Sequence, residues 1–474
     1  ALDFDGVVCD GLVEYFATAW RAYGEIFGPP AGPPPPQLAD RFYPLRPVVE
    51  SGWEMPLLIH GLQRGLADQD LLDHWPTLAS QLLTETGLNP THLGATVDGV
   101  RDRWIQTDLV DWLSLHRFYP GVLPRLEAAR AADPGRVDDL EACLAGRGVG
   151  GWEAKLPVFS PGESIATRVA CAQVLGAIVD VVPGLVGGGA DLTGNTGTAL
   201  KGAPVLARGA HDGRQLFFGV REHGMGSVMV GMAEGGLLPF GGTFFVFSDY
   251  MRPAVRVAAL SRAKVAFVWS HDSIAVGEDG PTHQPVEHLA SLRAMPGLRI
   301  IRPADANETA AAWRVHLEGE GPTAIVLSRQ NLPVLEGTAE RAAEGVAAGA
   351  YVLAAESGSS PQVVLIGTGS EVSLCVEAQA ALAAAGIDAR VVSMPSWDLF
   401  AARSDAERAT VLPTGVPRLA VEAGTTFGWT RWADDAIGID RFGASAPGGV
   451  AMREFGFTVE EVVRRATALV RGGA

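Results

Sequence analysis

The chain has 474 residues, 47% hydrophobic and 19% charged, which is enough for roughly two to four domains with their own cores and excludes a disordered chain. Its formal net charge of −17 excludes non-specific binding to nucleic-acid backbones, and no apolar run reaches the roughly 18 residues of a membrane span. The four cysteines, Cys9, Cys143, Cys171 and Cys375, have no paired spacing and read as free thiols of a reducing, cytoplasmic setting.

The opening "ALDFDGVVCD" begins at Ala1 rather than Met and carries Asp3 and Asp5, a pair that can serve as nucleophile and acid/base partner in phosphoryl transfer. Residues 1–125 then read as mainly helical, with a Pro-rich loop at 29–36 and apolar residues at three- and four-residue spacing in "PVVESGWEMPLLIHGLQRGL". Residues 126–157 turn polar and Ala/Gly-rich, which suggests a linker with one helix. From 158 to 345 the apolar runs "LVGGGAD", "LFFGV", "VAFVWS", "LRIIRPAD" and "TAIVLS" alternate with helical stretches such as "GSVMVGMAEGG" and "ETAAAWRVHL". Asp305 and Glu308 read as a capping box before the last of these. Such alternation calls for a parallel sheet covered on both faces. A second unit begins near 346, where "PQVVLIGTGSEVSLCVEAQAALAAAGIDARVVSMP" reads as one strand–helix–strand crossover stopped at Gly386. Its "GTGSE" turn lacks the third glycine of a dinucleotide fingerprint and reads as an ordinary tight turn. The fold class is α/β: a parallel-sheet domain over 158–345, a smaller α/β domain over 346–474 and a helical N-terminal segment.

In an open parallel sheet, ligands bind beyond the carboxyl ends of the strands. There the sequence places Asp191, then Arg221, Glu222 and His223, then His271, then Arg329. The loop after His271, "DSIAVGEDGPTHQP", adds Asp279 and His283. Taken singly, each has an ordinary explanation: a helix N-terminal carboxylate for Glu222, core histidines for His271 and His283, a surface ion pair for Arg329. Gathered on one rim they favour a site. Phe244, Phe247 and Tyr250, at three-residue spacing, are either a core stripe or a platform for a flat heterocycle.

The runs "GVREHGMG", "SHDSIAVGEDGPTHQPVEHLASLRAMPGLRIIRPADANE" and "LSRQNLP" resemble the transketolases, which use thiamine diphosphate to move a two-carbon ketol unit between sugar phosphates. The resemblance covers roughly 130–474: the pyrimidine-binding domain and the C-terminal domain with "MPSWDLF", "VEAGTTFGW" and "DRFGASAPGG". It implies that Glu222 hydrogen-bonds N1′ of the aminopyrimidine and favours its imino tautomer, so that the ring nitrogen can remove the C2 proton of the thiazolium. Phe244, Phe247 and Tyr250 match the pyrimidine pocket, and Asp191 an aspartate near the cofactor. His271, Arg329 and Arg168 match groups that hold the sugar phosphate, and Asp279 and His283 match groups that contact its hydroxyls and donor carbonyl. In "GADLTGNTGT", Asn195 stands where the family usually has serine, and its amide can still donate to phosphate. The family's diphosphate-binding domain, with its GDG motif, has no counterpart in this sequence. The Mg²⁺ ligands are therefore expected from another domain or a partner chain, and the family forms dimers.

Residues 1–125 resemble the start of a haloacid-dehalogenase-like hydrolase, with Asp3 and Asp5 at the nucleophile and acid/base positions. The later serine or threonine, basic residue and acidic pair of that mechanism are not matched, so this segment reads as a truncated fragment with a vestigial motif. The function expected is ketol transfer that needs a diphosphate-binding half from elsewhere. A non-catalytic, truncated or chimeric protein and a phosphatase are the competing readings.

Overall fold

The computed structural model describes residues 9–28, 34–118, 127–128 and 130–472. The chain divides into two units, Ala1–Pro134 and Gly135–Ala474. Asp3 and Asp5 lie outside the described residues.

In the first unit a short antiparallel pair, β1 (Cys9–Asp10) and β2 (Arg117–Phe118), accompanies α1 (Leu12–Phe27), α2 (Pro36–Leu45), α3 (Glu54–Gln63), α4 (Asp68–Thr86) and α5 (Pro90–Thr107). Helical spacing of Phe16, Ala19 and Ala22 on α1 presents an apolar stripe to Phe42, Leu57, Leu58 and Trp75. Pro90 at the first turn and the Asn89 side chain, which accepts from His92 N, start α5. Glu14 is buried in this core, where it accepts hydrogen bonds from Thr18 Oγ1 (2.6 Å), Arg101 Nε (2.9 Å) and Trp112 Nε1 (3.1 Å). A carboxylate can be buried here because these donors replace its water.

The second unit holds two large sheets and a short antiparallel pair, Ser164–Ile165 with Leu332–Pro333. The first has six parallel strands, β3 (Leu185–Gly189), β4 (Gln215–Phe217), β5 (Leu238–Phe244), β6 (Ala266–Ser270), β7 (Arg299–Ile301) and β8 (Thr323–Leu327), in the order β4–β3–β5–β6–β8–β7. Helices α6 (Thr167–Ile178) and α9 (Ala306–Glu318) cover one face, where Cys171, Val174 and Trp313 meet Phe240, Val268 and Ile325. Helices α7 (Glu222–Glu234) and α8 (Ser248–Ser261) cover the other, where Met225, Met229 and Met251 meet Phe267 and Trp269. Strands buried on both faces lose the apolar–polar alternation, which is why β6 and β8 read as continuous apolar runs. Strand β5 was not singled out as a strand from the sequence. Its glycines are required by close packing, because a Cβ at Gly241 would stand 2.1 Å from Met229 Sδ.

The second sheet orders β9 (Tyr351–Ala354), β10 (Val363–Gly367), β11 (Ala389–Ser393), β12 (Arg418–Val421) and β13 (Asp435–Ile437) as β9–β11–β10–β12–β13, with β9 alone antiparallel. The crossover from β10 through α10 (Glu371–Ala384) to β11 follows the sequence expectation, and Gly386 takes φ 77° past the helix end. Helices α10 and α11 (Val459–Gly472) pack Cys375, Leu382, Val462 and Ala466 on one face of this sheet.

The linker expected over 126–157 is not one from residue 135 onward. Val149 N donates to Val181 O at 2.9 Å, Lys264 Nζ donates to Gly146 O at 2.6 Å, and Trp152 joins the core beside Cys171. A single large anchor among small polar residues is enough to seat this stretch on the first sheet. The capping box at α9 is half formed: Asp305 accepts from Glu308 N at 3.0 Å, but Glu308 accepts from Ala304 N instead of closing back on Asp305.

Candidate active site

Because the strands of the first sheet are parallel, their carboxyl ends share one rim. Asp191 lies two residues past β3, Glu222 opens α7 after β4, Phe244 ends β5, His271 follows β6 directly and Arg329 lies two residues past β8. Helices α7 and α8 both run back from this rim, so their N-termini lie side by side. An added Cβ at Gly226 would stand 2.8 Å from Ala254 Cβ, which fixes that pairing one turn in from Glu222 and Tyr250. Glu222 is buried at this edge, while Tyr250 is 67% exposed.

The aromatic residues and histidines form one cluster. The His271 ring stacks on Phe244 at 3.6 Å between centroids, Phe244 stacks on Phe247 at 5.9 Å, and Tyr250 lies 5.8 Å from Phe247. His283 stands edge-on to Phe247 at 5.4 Å and to Phe244 at 6.5 Å. Asp279 is exposed on the same loop as His283. Two arginines close the other side. The α6 N-terminus is pinned to the end of β8 by Thr167 N to Ser328 Oγ (3.1 Å) and Ser328 N to Thr167 Oγ1 (2.7 Å). Arg168 then donates to Asn195 O at 3.1 Å and to Arg329 O at 3.4 Å. Asn195 thus anchors Arg168 through its backbone carbonyl.

The charged groups that act on His271 are all positive. Burial, then Arg168, Arg329 and His283, push the His271 pKa down to about 3, and burial with Arg329 lowers that of Arg168. His271 is therefore a neutral imidazole, with Nδ1 2.9 Å from Ser270 Oγ. Two guanidiniums held side by side, Arg168 and Arg329, suit an anion. The backbone bears strain at the same rim: Asp191 (φ 63°) and His271 (φ 64°) are non-glycine residues in the left-handed region. Such conformations persist where surrounding structure imposes them and often mark working sites.

The loop carrying Asp279 and His283 is clamped by the second sheet's domain. Buried Gln284 donates through Nε2 to Ile274 O (3.1 Å), Gly277 O (3.0 Å) and Ala444 O (3.0 Å), and Ser445 Oγ donates to Glu278 O at 2.6 Å.

Next to His271 lies a group that sequence reasoning missed. Arg302, fully buried after β7, pairs with Asp272 at 2.8 Å and Glu371 at 2.5 Å and donates to Thr368 O at 2.9 Å. Glu422, after β12, joins through Thr368 Oγ1 (2.8 Å) and takes a two-pronged bond from Arg293 at 2.8 and 2.7 Å. Burial alone would favour loss of the Arg302 proton, but Glu371, Asp272 and Glu422 hold it charged. The "GTGSE" turn is thus a cradle for a guanidinium: a Cβ at Gly369 would stand 2.6 Å from Arg302 Cζ. The signal in the sequence was an ionisable residue within a few positions of each of four strand ends, in both sheets.

Phe244, Phe247 and Tyr250 beside the buried Glu222 carboxylate offer an apolar platform with one strong acceptor, which fits a flat aminopyrimidine ring. Among the described residues, Asp249, Glu287 and His288 form a group with ligand atoms within 4.8 Å of one another. His288 Nε2 lies 3.2 Å from Asp249 Oδ2 and both carboxylates are exposed, so a hydrogen bond that orients His288 against Phe245 accounts for it.

The transketolase pyrimidine-binding domain profile matches residues 163–334, and the transketolase-like C-terminal domain profile matches 349–458. The chain is 54% identical over 352 residues to a transketolase of Geobacillus stearothermophilus, covering 73% of this chain and 53% of the relative. Transketolase from Leishmania mexicana superimposes with a TM-score of 0.70 and 40% identity over 83% of this chain and 58% of that one. A structure described as a split gene transketolase, inactive beta4 tetramer, matches with a TM-score of 0.54 and 25% identity, over 65% of this chain and 99% of that one. The chain spans about half the length of curated relatives such as the Geobacillus protein, of which it covers 53%.

Proposed function

The chain carries the pyrimidine-binding and C-terminal domains of the transketolase family, and from that premise we propose that it works in thiamine-diphosphate-dependent transfer of a two-carbon ketol unit between sugar phosphates. The observation that carries this reading is the gathering of His271, His283, Arg168 and Arg329 around the Phe244–Phe247 pair.

Thiamine diphosphate, when bound, supplies an electron sink for the transferred unit. Glu222 holds a proton at the pyrimidine nitrogen it faces, and its burial keeps that bond out of competition with water. Phe244, Phe247 and Tyr250 seat the ring. Arg168 and Arg329 receive the sugar phosphate with Asn195 beside them, because guanidinium forks match phosphate oxygens. His283, with Asp279 on the same loop, orients hydroxyl and carbonyl oxygens. His271 stands with the two arginines at the phosphate, where the neutral imidazole acts as a hydrogen-bonding group rather than as a charge. Asp191 lies on the rim in a position to steady the cofactor.

The diphosphate and its Mg²⁺ are held, in this reading, by another domain or by a partner chain. Exposed apolar side chains on α7 and α8 (Val228, Val257 and Leu260) support a homodimer or partner chain on that face. A cytoplasmic location accompanies this chemistry. The competing reading is a folded but non-catalytic shell, favoured by a rim whose Asp191, Asn195, Tyr250 and Arg329 are exposed.

Mixing the chain with a diphosphate-binding half, thiamine diphosphate and Mg²⁺ tests the proposal. Ketol transfer from a ketose phosphate to an aldose phosphate is the expected result. A folded mixture that binds the cofactor and transfers nothing refutes it.

A further inference from the structure

The C-terminal domain reaches the rim through the loop that ends at His283. After β6 the chain arrives there in a series of turns, each closed at three-residue spacing. Gly277 N donates to Ile274 O at 3.2 Å, Gly280 N to Gly277 O at 3.0 Å and His283 N to Gly280 O at 3.0 Å. Gly277 (φ 92°) and Gly280 (φ 74°) take the left-handed conformation these turns use. Gln284, the next residue, is only 2% exposed and straps the series from inside. Its Nε2 donates to Ile274 O at 3.1 Å and Gly277 O at 3.0 Å, the acceptors of the first two turns, and to Ala444 O of the other domain at 3.0 Å. The two N–H bonds of one amide thus serve three carbonyls, and all three are tied to the residue that follows His283.

The C-terminal domain is shaped to receive that amide. A Cβ at Gly443 would stand 1.9 Å from Gln284 Oε1 and 2.8 Å from its Cδ. The φ of Gly443 lies outside the left-handed region, so space rather than backbone freedom calls for glycine there. The two segments stay in contact beyond this point: Ser445 Oγ donates to Glu278 O at 2.6 Å, and a Cβ at Gly448 would stand 2.5 Å from Ala275 O. The His283 ring has Thr282 Oγ1 2.9 Å from Nδ1 and Phe247 edge-on at 5.4 Å. The first partner is the preceding residue and moves with the loop, and the second is an apolar contact without direction. Neither fixes the path of the backbone that delivers the ring.

We propose that Gln284 is a positioning residue: seated against Gly443, it sets the place of the His283 imidazole beside Phe247. One buried amide that joins the start, the middle and the end of a loop removes the freedom the glycines would otherwise give it. The consequence for turnover rests on the ketol-transfer reading, whereas the placement of the ring does not.

The test uses the full chain with histidine labelled with carbon-13 at Cε1. The His283 signal is assigned through His283→Asn, and the signal of His316 on α9, assigned through His316→Leu, is the internal reference. Gly443→Ala adds one methyl in the other domain and leaves the loop's own sequence intact. It should shift the His283 signal and leave that of His316 in place. Gln284→Ala should also shift His283, and Gly443→Ala added to it should do nothing more, because the methyl then has no amide to meet. In the reconstituted assay, kcat/KM for the ketose phosphate should fall about tenfold in Gly443→Ala. Either single variant decides the case if the other melts early. A His283 signal unmoved by the variants, a His316 signal that moves with it, or shifts that simply add in the double variant overturn the proposal. So does an unchanged kcat/KM in an active mixture. A His283 shift in chains that transfer nothing, the parent included, upholds the placement and removes the ketol-transfer reading instead.

Discussion

The His271 imidazole lies face to face with the Phe244 ring, centroids 3.6 Å apart and planes inclined by 27°, at the carboxyl ends of two adjacent parallel strands. A protonated imidazole in that stack would be pressed by Arg168, Arg329 and His283 with little water to screen it, and the pKa falls to about 3. His271 should therefore stay neutral while pH drops from about 8 to about 5, a range in which an ordinary histidine titrates. Carbon-13 shifts of its ring measure this. Arg329→Met removes one positive neighbour and should raise the His271 pKa, whereas an unchanged titration would show that the arginine does not act on the ring.

Glu222 opens α7 as a buried carboxylate on the same rim. Glu222→Gln keeps the shape and the helix but cannot share a proton with a ring nitrogen in the same way. Turnover in the reconstituted assay should fall roughly a hundred- to ten-thousand-fold, with the melting temperature nearly unchanged. Retained turnover would remove Glu222 from the chemistry.

The rim was legible in the sequence because parallel strands bring their carboxyl ends together, and each apolar run stops at a polar or ionisable residue within a few positions. Strand β5 was hidden: "LPFGGTF" carries two adjacent glycines that Thr196, Thr198 and Met229 require, so it has neither alternation nor strong strand propensity. The seat of 135–157 on the first sheet was hidden because Trp152 anchors it almost alone among small polar residues. The Arg302 network was invisible for a different reason. Its four charges come from positions up to 150 residues apart, each of which reads as a surface charge until two sheets are docked.

Arg302 holds two buried carboxylates, Asp272 and Glu371, at the junction of the two sheets. Arg302→Met fills the space but strands both negative charges without a partner. Breaking a buried pair in this way costs about 3–5 kcal/mol. Denaturant unfolding should show a loss of that size, and Asp272→Asn together with Glu371→Gln should restore part of it. A loss below about 1 kcal/mol, the value typical of exposed pairs, would mean that water reaches the network.

His316 on α9 is 1% exposed, stands edge-on to Trp313 at 5.9 Å, and has no partner for Nδ1. Burial, then Lys264 and Arg299, push its pKa down to about 3. Since an unfolded histidine titrates near about 6.5, the unfolded chain binds the extra proton between those two values, and stability must fall as pH drops through that window. Above about pH 6.5 both states are neutral and the group costs nothing on this account. His316→Leu removes the titration while keeping an apolar body of similar reach. The difference in unfolding free energy between the two chains should be flat from about pH 8 to about pH 7 and then move in the variant's favour by about 2 kcal/mol at about pH 5. A difference that stays constant down to pH 5 would mean that the His316 site admits water and lets the buried ring take its proton.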